Sequence, residues 1–155
     1  MGNPDILIYT DGSSRGNPGP GGYGIIMQKF TNKRSKEFYR GFRKTTNNRM
    51  ELLAVIEAIK KLTIKNLKVH IYTDSKYVVD AVEKKWVFNW ETKGFKGKKN
   101  SDLWKSFLKI YPTQKIKLFW VKGHNNHPQN ERCDHLAFEA SKSKNLDIDH
   151  EYEKE

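Results

Sequence analysis

The sequence predicts an α/β protein in which helices cover a mixed β-sheet. Strand patterns cover residues 5–11, 22–30 and 36–43, and the turn-forming segments between them predict three antiparallel strands. After residue 43 the patterns alternate between helix and strand, which predicts parallel strands joined by helical crossovers. The same tetrapeptide, Ile-Tyr-Thr-Asp, closes two apolar strands, at residues 8–11 and 71–74.

Hydrophobic periodicity predicts the remaining elements. A helix begins near Asn48, because Leu52, Val55, Ile56 and Ile59 recur at helical spacing after capping residues. Next we expect a strand at 67–73, a helix at 75–86, an irregular basic stretch, a helix near 101–109, a strand at 115–121, a polar loop at 122–129 and a helix at 130–142. The pattern predicts one domain, residues 1–142, and an acidic, flexible tail, residues 143–155.

The charge of the chain indicates its partner. The formal net charge is +11, although the last nine residues contain five acids and one lysine. A strongly basic body favours a polyanionic partner, but a solvated cationic surface would give the same charge. The sequence has no apolar run of membrane length and no signal pattern, and Cys133 is its single cysteine. We therefore expect a cytoplasmic protein with no membrane partner.

Two aspartates stand at the ends of the repeated tetrapeptide. Asp11 opens a glycine-rich segment, whereas Asp74 is followed by a helical pattern. If the two strands pair in parallel, they lie about 4.8 Å apart, and ligands of open α/β sheets bind at such carboxyl ends. The alternative is that both residues are ordinary strand-end or helix-capping aspartates.

Two further acids join this set. Glu51 shares the helical row of Val55 and Ile59, which faces the sheet, and Asp134 lies in the first turn of the last helix. Each has a simple alternative, as a capping-box glutamate or as an aspartate that complements the helix dipole. Together the four acids form an oxygen-only ligand set that suits Mg²⁺ or Mn²⁺ rather than Zn²⁺. Two such ions could activate a water and stabilise a leaving oxygen, which indicates a metal-dependent nuclease.

Five segments resemble bacterial type 1 ribonuclease H in sequence and spacing. They are Thr10–Ser13, Asn17–Gly24, Thr45–Leu52, Thr73–Val78, and Trp120–His124 continued by Asn130–Asp134. The resemblance implies a ribonuclease H-like fold, with a five-stranded mixed sheet in the order 3-2-1-4-5 flanked by helices, in a catalytic domain spanning residues 1–142. It also implies hydrolysis of the RNA strand of RNA/DNA hybrids by two-metal-ion catalysis, which leaves 5′-phosphate and 3′-hydroxyl ends.

The resemblance assigns catalytic roles residue by residue. The family's metal-binding carboxylates, which hold two Mg²⁺ with Mn²⁺ as an alternative, match Asp11, Glu51, Asp74 and Asp134. The family's catalytic loop histidine matches His124, and an imidazole there can take or give a proton near neutral pH. We interpret the neighbouring His127 as structural.

The resemblance also assigns contacts to each nucleic-acid strand. Residues at the family's RNA-strand positions are Ser14, Gly16, Asn17, Asn47 and Lys76, and Lys76 replaces a residue that is often neutral. Such amide and hydroxyl groups can read the 2′-hydroxyl across a shallow minor groove. Residues similar to the DNA-strand contacts are Lys44, Thr46 and Asn89 at a phosphate and Trp86 at a deoxyribose.

A basic segment, residues 84–99, completes the predicted binding surface. It contains six lysines against one acid, interleaved with aromatic residues, a composition that suits nucleic acid. We predict phosphate contacts for Lys96, Lys98 and Lys99. The alternative is that the aromatic residues pack under helix ends and only the lysines face solvent. We expect a mixture, with Trp90 and Trp104 mostly in the core.

Two other classes of protein share parts of this pattern. A related polynucleotidyl transferase, such as an integrase or a Holliday-junction resolvase, would share the fold and the acids, but the segments around Asn47 and His124 argue against it. A non-catalytic hybrid-binding protein would lack one of the four acids, and all four are present. We therefore expect a monomeric enzyme whose partner is an RNA/DNA hybrid duplex.

Overall fold

The computed structural model describes residues 2–122 and 127–154, which contain one five-stranded sheet. Its strands are β1 (Ile6–Ser14), β2 (Gly19–Lys29), β3 (Ser35–Thr45), β4 (Lys68–Thr73) and β5 (Lys115–Trp120), in the order β3-β2-β1-β4-β5. The first three strands are antiparallel, whereas β4 runs parallel to both β1 and β5. The predicted mixed sheet and its order are confirmed.

Helices cover both faces of this sheet. They are α1 (Asn47–Lys60), α2 (Lys76–Glu83), α3 (Trp86–Thr92), α4 (Ser101–Ile110), α5 (Pro128–Ser141) and α6 (His150–Glu153), with a short 3₁₀ turn at Tyr111–Thr113. Ile8 and Ile71 point into the larger core beneath α1 and α4, whereas Leu7 points to the opposite face, where it packs with Leu136 of α5. The alternation of side chains along β1 thus divides the core into two layers.

Helix α3 lies within the stretch that the sequence predicted to be irregular. The preceding residue, Lys85, has a left-handed backbone (φ 66°), which ends the path of α2 and redirects the chain. A non-glycine residue in this conformation carries no clear sequence signal. The prediction of an irregular stretch was therefore wrong at residues 86–92.

The tail lies against β3 in the structure. The backbone N–H of Asp147 donates to the carbonyl of Gly41, and the N–H of Arg43 donates to the carbonyl of Asp147, both at 2.9 Å. The short helix α6 follows. The flexibility expected for residues 143–155 stays a prediction.

Gly12 allows α1 to approach β1 closely. A Cβ added at Gly12 would overlap the backbone of Met50 and would lie 2.5 Å from the N atom of Glu51. Because Asp11 precedes Gly12 and Glu51 follows Met50, this approach brings two of the predicted metal-binding carboxylates to the same place.

Among the described helices, none is long and apolar enough to cross a membrane.

We predict that Gly12→Ala destabilises the protein by about 1–3 kcal/mol or more, because the new methyl group overpacks the contact between β1 and α1. The measurement is the free energy of unfolding in urea. Gly94→Ala is the control, because a Cβ at Gly94 would meet no atom within 4 Å. This control still includes the backbone cost of alanine, since Gly94 has a left-handed backbone (φ 66°). An equal or smaller loss in Gly12→Ala than in Gly94→Ala would contradict the close approach.

Candidate metal centre and nucleic-acid cleft

Three of the four predicted carboxylates converge at the carboxyl end of β1 and β4. Asp11, Glu51 and Asp74 each offer one oxygen, and these oxygens all lie within 4.8 Å of one another. Thr10 pairs with Thr73 in the parallel register, so Asp11 and Asp74 follow neighbouring positions of adjacent strands. Glu51 reaches them from the first turns of α1.

Local hydrogen bonds fix the turn that carries Asp74. The indole N–H of Trp120, at the end of β5, donates to the Asp74 carbonyl at 3.1 Å. The Ser75 hydroxyl accepts from the N–H of Val78 and caps α2, while the Ser75 N–H donates to Thr73. The backbone at Asp74 is therefore fixed at the carboxyl end of β4 by its own strand, by β5 and by the start of α2.

Burial and mutual repulsion dominate the electrostatics of this cluster. Burial, followed by the charge of Asp74 and then by contacts with Asp134, raises the pKa of Asp11 to about 9. Burial and then the charges of Asp11 and Asp74 raise the pKa of Glu51 well above its ordinary value. Without a cation, Asp11 therefore holds its proton at neutral pH.

The unsatisfied oxygens of the cluster fit a divalent cation. Among the described residues, Glu51 Oε1 and Asp74 Oδ1 are buried and have no hydrogen-bond partner. Buried carboxylate oxygens without partners are costly unless a charge of opposite sign meets them. The donor set consists only of oxygens, which suits a hard divalent cation.

Of the other two predicted catalytic residues, the structure describes Asp134 but not His124. Asp134 lies in α5, half-buried, close enough to Asp11 to raise its pKa, although it is outside the set of three converging oxygens. His124 lies outside the described residues. The ring of His127 packs against Tyr9 and Tyr72, with centroids 5.6 and 6.3 Å apart, which agrees with a structural role.

Three residues predicted to contact the RNA strand form one exposed cluster. The Asn47 side-chain oxygen accepts from the Ser14 N–H at 2.7 Å, and the Asn17 side-chain oxygen accepts from the Asn47 N–H at 3.1 Å. With both carboxamide oxygens used internally, the NH₂ groups are the donors left to meet a ligand. Gly16, between Ser14 and Asn17 in the chain, forms the turn with a left-handed backbone (φ 71°).

A cleft of about 490 Å³ lies beside this end of the sheet. Four predicted binding residues line it, namely Lys76, Trp86, Lys98 and Lys99. The Lys76 ammonium lies 5.3 Å from the ring centroid of Trp120, at the end of β5. Trp86 is 46% exposed at the start of α3.

Sequence reasoning missed other residues of the cleft, which are Asn48, Tyr77, Asp80, Trp90 and Asn100. Trp90, expected mostly in the core, is half-buried, packs edge-on against the fully buried Trp104 and is covered by the Lys98 ammonium at 4.8 Å. Asn48 lies within the Thr45–Leu52 segment, and Asn100 directly follows the basic segment. These positions were the signal available in the sequence.

Four predicted binding residues lie neither in this cleft nor in the exposed cluster around Asn17 and Asn47. Thr46 caps α1 by accepting from the Arg49 N–H at 3.3 Å. Lys44, Asn89 and Lys96 are exposed, on β3, on α3 and in the segment before α4 respectively. Their assignment to the nucleic-acid surface stays a prediction.

The sheet order, the acidic cluster and the adjoining basic cleft together define a metal-dependent nuclease as the class of protein. The family model described as RNase H matches residues 3–142. The chain belongs to the RNase H family, which confirms the resemblance and the enzyme class predicted from its motifs.

Individual relatives agree with this membership. The chain is 49% identical over 150 residues to a ribonuclease H of Desulforamulus reducens, covering 94% of this chain and 92% of that protein. The crystal structure of LC9-RNase H1, a type 1 RNase H with the type 2 active-site motif, superposes with a TM-score of 0.79 at 31% identity, covering 98% of this chain and 81% of that one. LC11-RNase H1 in complex with RNA/DNA hybrid has a TM-score of 0.60 at 27% identity, covering 88% and 96%.

We predict that the metal-free protein loses stability as the pH rises between about 5 and 9. The native state keeps a proton on Asp11, whose pKa is about 9, whereas the unfolded carboxyl loses it near 3.8. The native state therefore binds more protons in this window, and its free energy of unfolding falls by up to about 1.4 kcal/mol per pH unit for each retained proton.

Urea unfolding in a chelator, at steps across this pH range, measures the effect. Saturating Mg²⁺ should remove most of the fall, and Asp11→Asn should make the metal-free fall shallower. A metal-free stability that does not depend on pH, or equal slopes in the two proteins, would contradict the raised pKa.

Proposed function

We propose that this chain hydrolyses the RNA strand of RNA/DNA hybrids with two divalent cations, Mg²⁺ or alternatively Mn²⁺, held by Asp11, Glu51, Asp74 and Asp134. The observation that carries the proposal is the convergence of the first three carboxylates, with buried and unpartnered oxygens, beside a basic cleft. Bound cations would neutralise the cluster, activate a water and stabilise the leaving oxygen, giving 5′-phosphate and 3′-hydroxyl ends.

The chain's own groups divide the work of the reaction. Asp11 and Asp74 are fixed by adjacent strands and Glu51 by α1, so the carboxylates are aimed before substrate arrives. In the proposal, His124 takes or gives the proton of the reacting oxygen and is not a permanent metal ligand. Gln or Asn at any of the three carboxylates would keep its shape but remove its charge.

Recognition of the RNA strand is assigned to the exposed cluster of Ser14, Gly16, Asn17 and Asn47. The carboxamide groups of Asn17 and Asn47 are ordered by hydrogen bonds to backbone N–H groups, so their donors have fixed positions. Ordered amide donors suit the 2′-hydroxyl, which distinguishes RNA from DNA. Lys76, held against Trp120, would meet the same strand as a cation.

The DNA strand is assigned to the cleft that Trp86 lines. Trp86 exposes an aromatic face there, which can pack on a deoxyribose, and Lys98 and Lys99 line the same cleft. Lys44, Thr46 and Asn89 are proposed to hold a phosphate, and Lys96 to add a further phosphate contact. We also propose that the enzyme acts as a monomer in the cytoplasm.

We predict that Asp11→Asn and Asp74→Asn each reduce cleavage by roughly 10³-fold or more, the scale of losing a principal electrostatic group. Binding of the hybrid should survive, since the amide keeps the shape of the site. Labelled RNA/DNA, RNA/RNA and DNA/DNA duplexes are digested side by side with Mg²⁺, and only the hybrid should be cut by the wild-type protein. Glu139→Gln is the control for charge loss on the exposed surface of α5.

Two outcomes would overturn the proposed site or substrate. Near-normal turnover in either aspartate variant would contradict the metal site. Strand transfer or cleavage of DNA/DNA duplex by the wild-type protein would favour a related polynucleotidyl transferase instead.

We predict that replacing Lys96, Lys98 and Lys99 together with alanine raises KM for the hybrid and changes kcat little, because phosphate contacts remote from the scissile bond act mainly on binding. The slope of log affinity against log salt should flatten by up to about 2 to 3 units. A salt titration of hybrid binding measures this slope.

The matched control removes three exposed lysines from the other end of the sheet, Lys29, Lys36 and Lys115. This control variant loses the same positive charge. A difference between the two variants therefore reports the position of the lysines and not the net charge of the protein. Equal slopes in the wild-type protein and in the basic-segment variant would show that these lysines do not contact the backbone.

A further inference from the structure

Arg49, two residues before Glu51, forms a buried ion-pair network with the tail. Its Nε and Nη2 groups donate to Asp149 at 2.7 and 2.9 Å, and Nη1 and Nη2 donate to Asp102 at 2.9 and 2.7 Å. The fifth N–H, on Nη1, donates to the Asn100 side chain at 3.3 Å. A guanidinium has five N–H donors, so the network satisfies all of them.

Asp149 is fixed from several directions. Its carboxylate also accepts from the Thr45 hydroxyl at 2.7 Å, and its side chain is only 9% exposed. The backbone pairing of Asp147 with β3 brings Asp149 inward, and Glu153 then pairs with Arg43 on the surface. Asp149 is therefore a buried residue held by several hydrogen bonds, and its pairing with Arg49 is not an incidental surface contact.

The network joins the two regions that carry the proposed nucleic-acid contacts. On one side Arg49 lies in the first turn of α1, three residues after Thr46 and two after Asn47. On the other side Asn100 precedes α4, lines the cleft and follows Lys98 and Lys99.

Asn100 extends the network to α2. Its side chain donates to the Tyr77 hydroxyl at 3.2 Å, which also accepts from the Trp104 indole at 2.8 Å. Asn100 stands at the start of α4 with a left-handed backbone and makes no side-chain cap of its own helix. Its carboxamide is instead committed to Arg49 and Tyr77.

Stability alone is a poor account of this arrangement. A buried ion pair gains little net free energy, because desolvation of both partners offsets their attraction. Its specific effect is geometric, since a bidentate carboxylate on each side fixes the plane and position of the guanidinium. The two helix starts are thereby held at one spacing.

We propose that Asp149 is a positioning residue for hybrid binding, which acts through Arg49 to hold the first turn of α1 and the start of α4 at the spacing that grips the substrate. The proposal rests on the proposed function, because it uses the hybrid-binding surface assigned above. It makes the tail a working part of the binding site.

A purely electrostatic role of the tail predicts that KM changes in the opposite direction when a tail acid is removed. Removing any tail acid raises the positive charge of the protein, which strengthens attraction to phosphates. Loss of positioning weakens hybrid binding in spite of that added charge. The direction of the change in KM therefore separates the two roles.

The experiment compares Asp149→Asn with Asp147→Asn and Glu153→Gln, which remove one tail charge each from pairs at the surface. KM and kcat are measured on one RNA/DNA hybrid at a temperature where circular dichroism shows every variant folded. Asp149→Asn should raise KM by about 2- to 30-fold, the range of coupling through such networks. Its kcat should stay within about twofold, and the two controls should leave KM unchanged or lower.

A KM for Asp149→Asn equal to that of the controls overturns the proposal, even if the melting temperature falls, because the role would then be structural only. A fall in kcat without a rise in KM also overturns it. If Asp149→Asn does not fold, Thr45→Val removes one hydrogen bond to the same carboxylate and should raise KM in the same direction. A wild-type protein that fails to cut the hybrid would instead contradict the proposed function itself.

Discussion

The repulsion among Asp11, Glu51 and Asp74 is the constraint on which the rest of the structure depends. Three acids with oxygens within 4.8 Å cannot all ionise in a buried setting unless cations join them. The backbone imposes the short distances between these carboxylates. Strands β1 and β4 pair in parallel register, and α1 packs against β1 at residue 12, where only glycine avoids an overlap with the Met50 backbone. The fold therefore holds a site that is unfavourable without metal and becomes favourable with it.

Charges of opposite sign are separated in space around this centre. Asp11 and Asp74 lie toward the carboxyl ends of β1 and β4, Glu51 reaches them from α1, and Lys76 of the cleft follows Asp74 by two residues. Three acids of the tail, Asp147, Glu153 and Asp149, pair with Arg40, Arg43 and Arg49 respectively, and none of these three acids lines the cleft. A polyanion can thus meet a cationic surface while its scissile phosphate meets the metal site.

The sequence predicted that Asp11, Glu51 and Asp74 lie close together, but it did not predict all of the structure around them. The repeated tetrapeptide indicated that Asp11 and Asp74 end neighbouring strands, and the row of Glu51 with Val55 indicated a face turned to the sheet. Such signals are local and periodic. Helix α3 escaped prediction because Lys85 adopts a left-handed backbone, and the pairing of Arg49 with Asp149 spans 100 residues. Contacts of that separation leave no mark in local periodicity.

The central claim is that the carboxylate cluster becomes a metal site when Asp11, buried and protonated without metal, loses its proton to the solvent. Calorimetric titration of the protein with Mg²⁺ near pH 7, in two buffers of different ionisation enthalpy, counts the protons released on binding. Because Asp11 has a pKa of about 9, the account predicts net release from the wild-type protein and a smaller release from Asp11→Asn. Saturable Mg²⁺ binding without proton release, or equal release from both proteins, would contradict it.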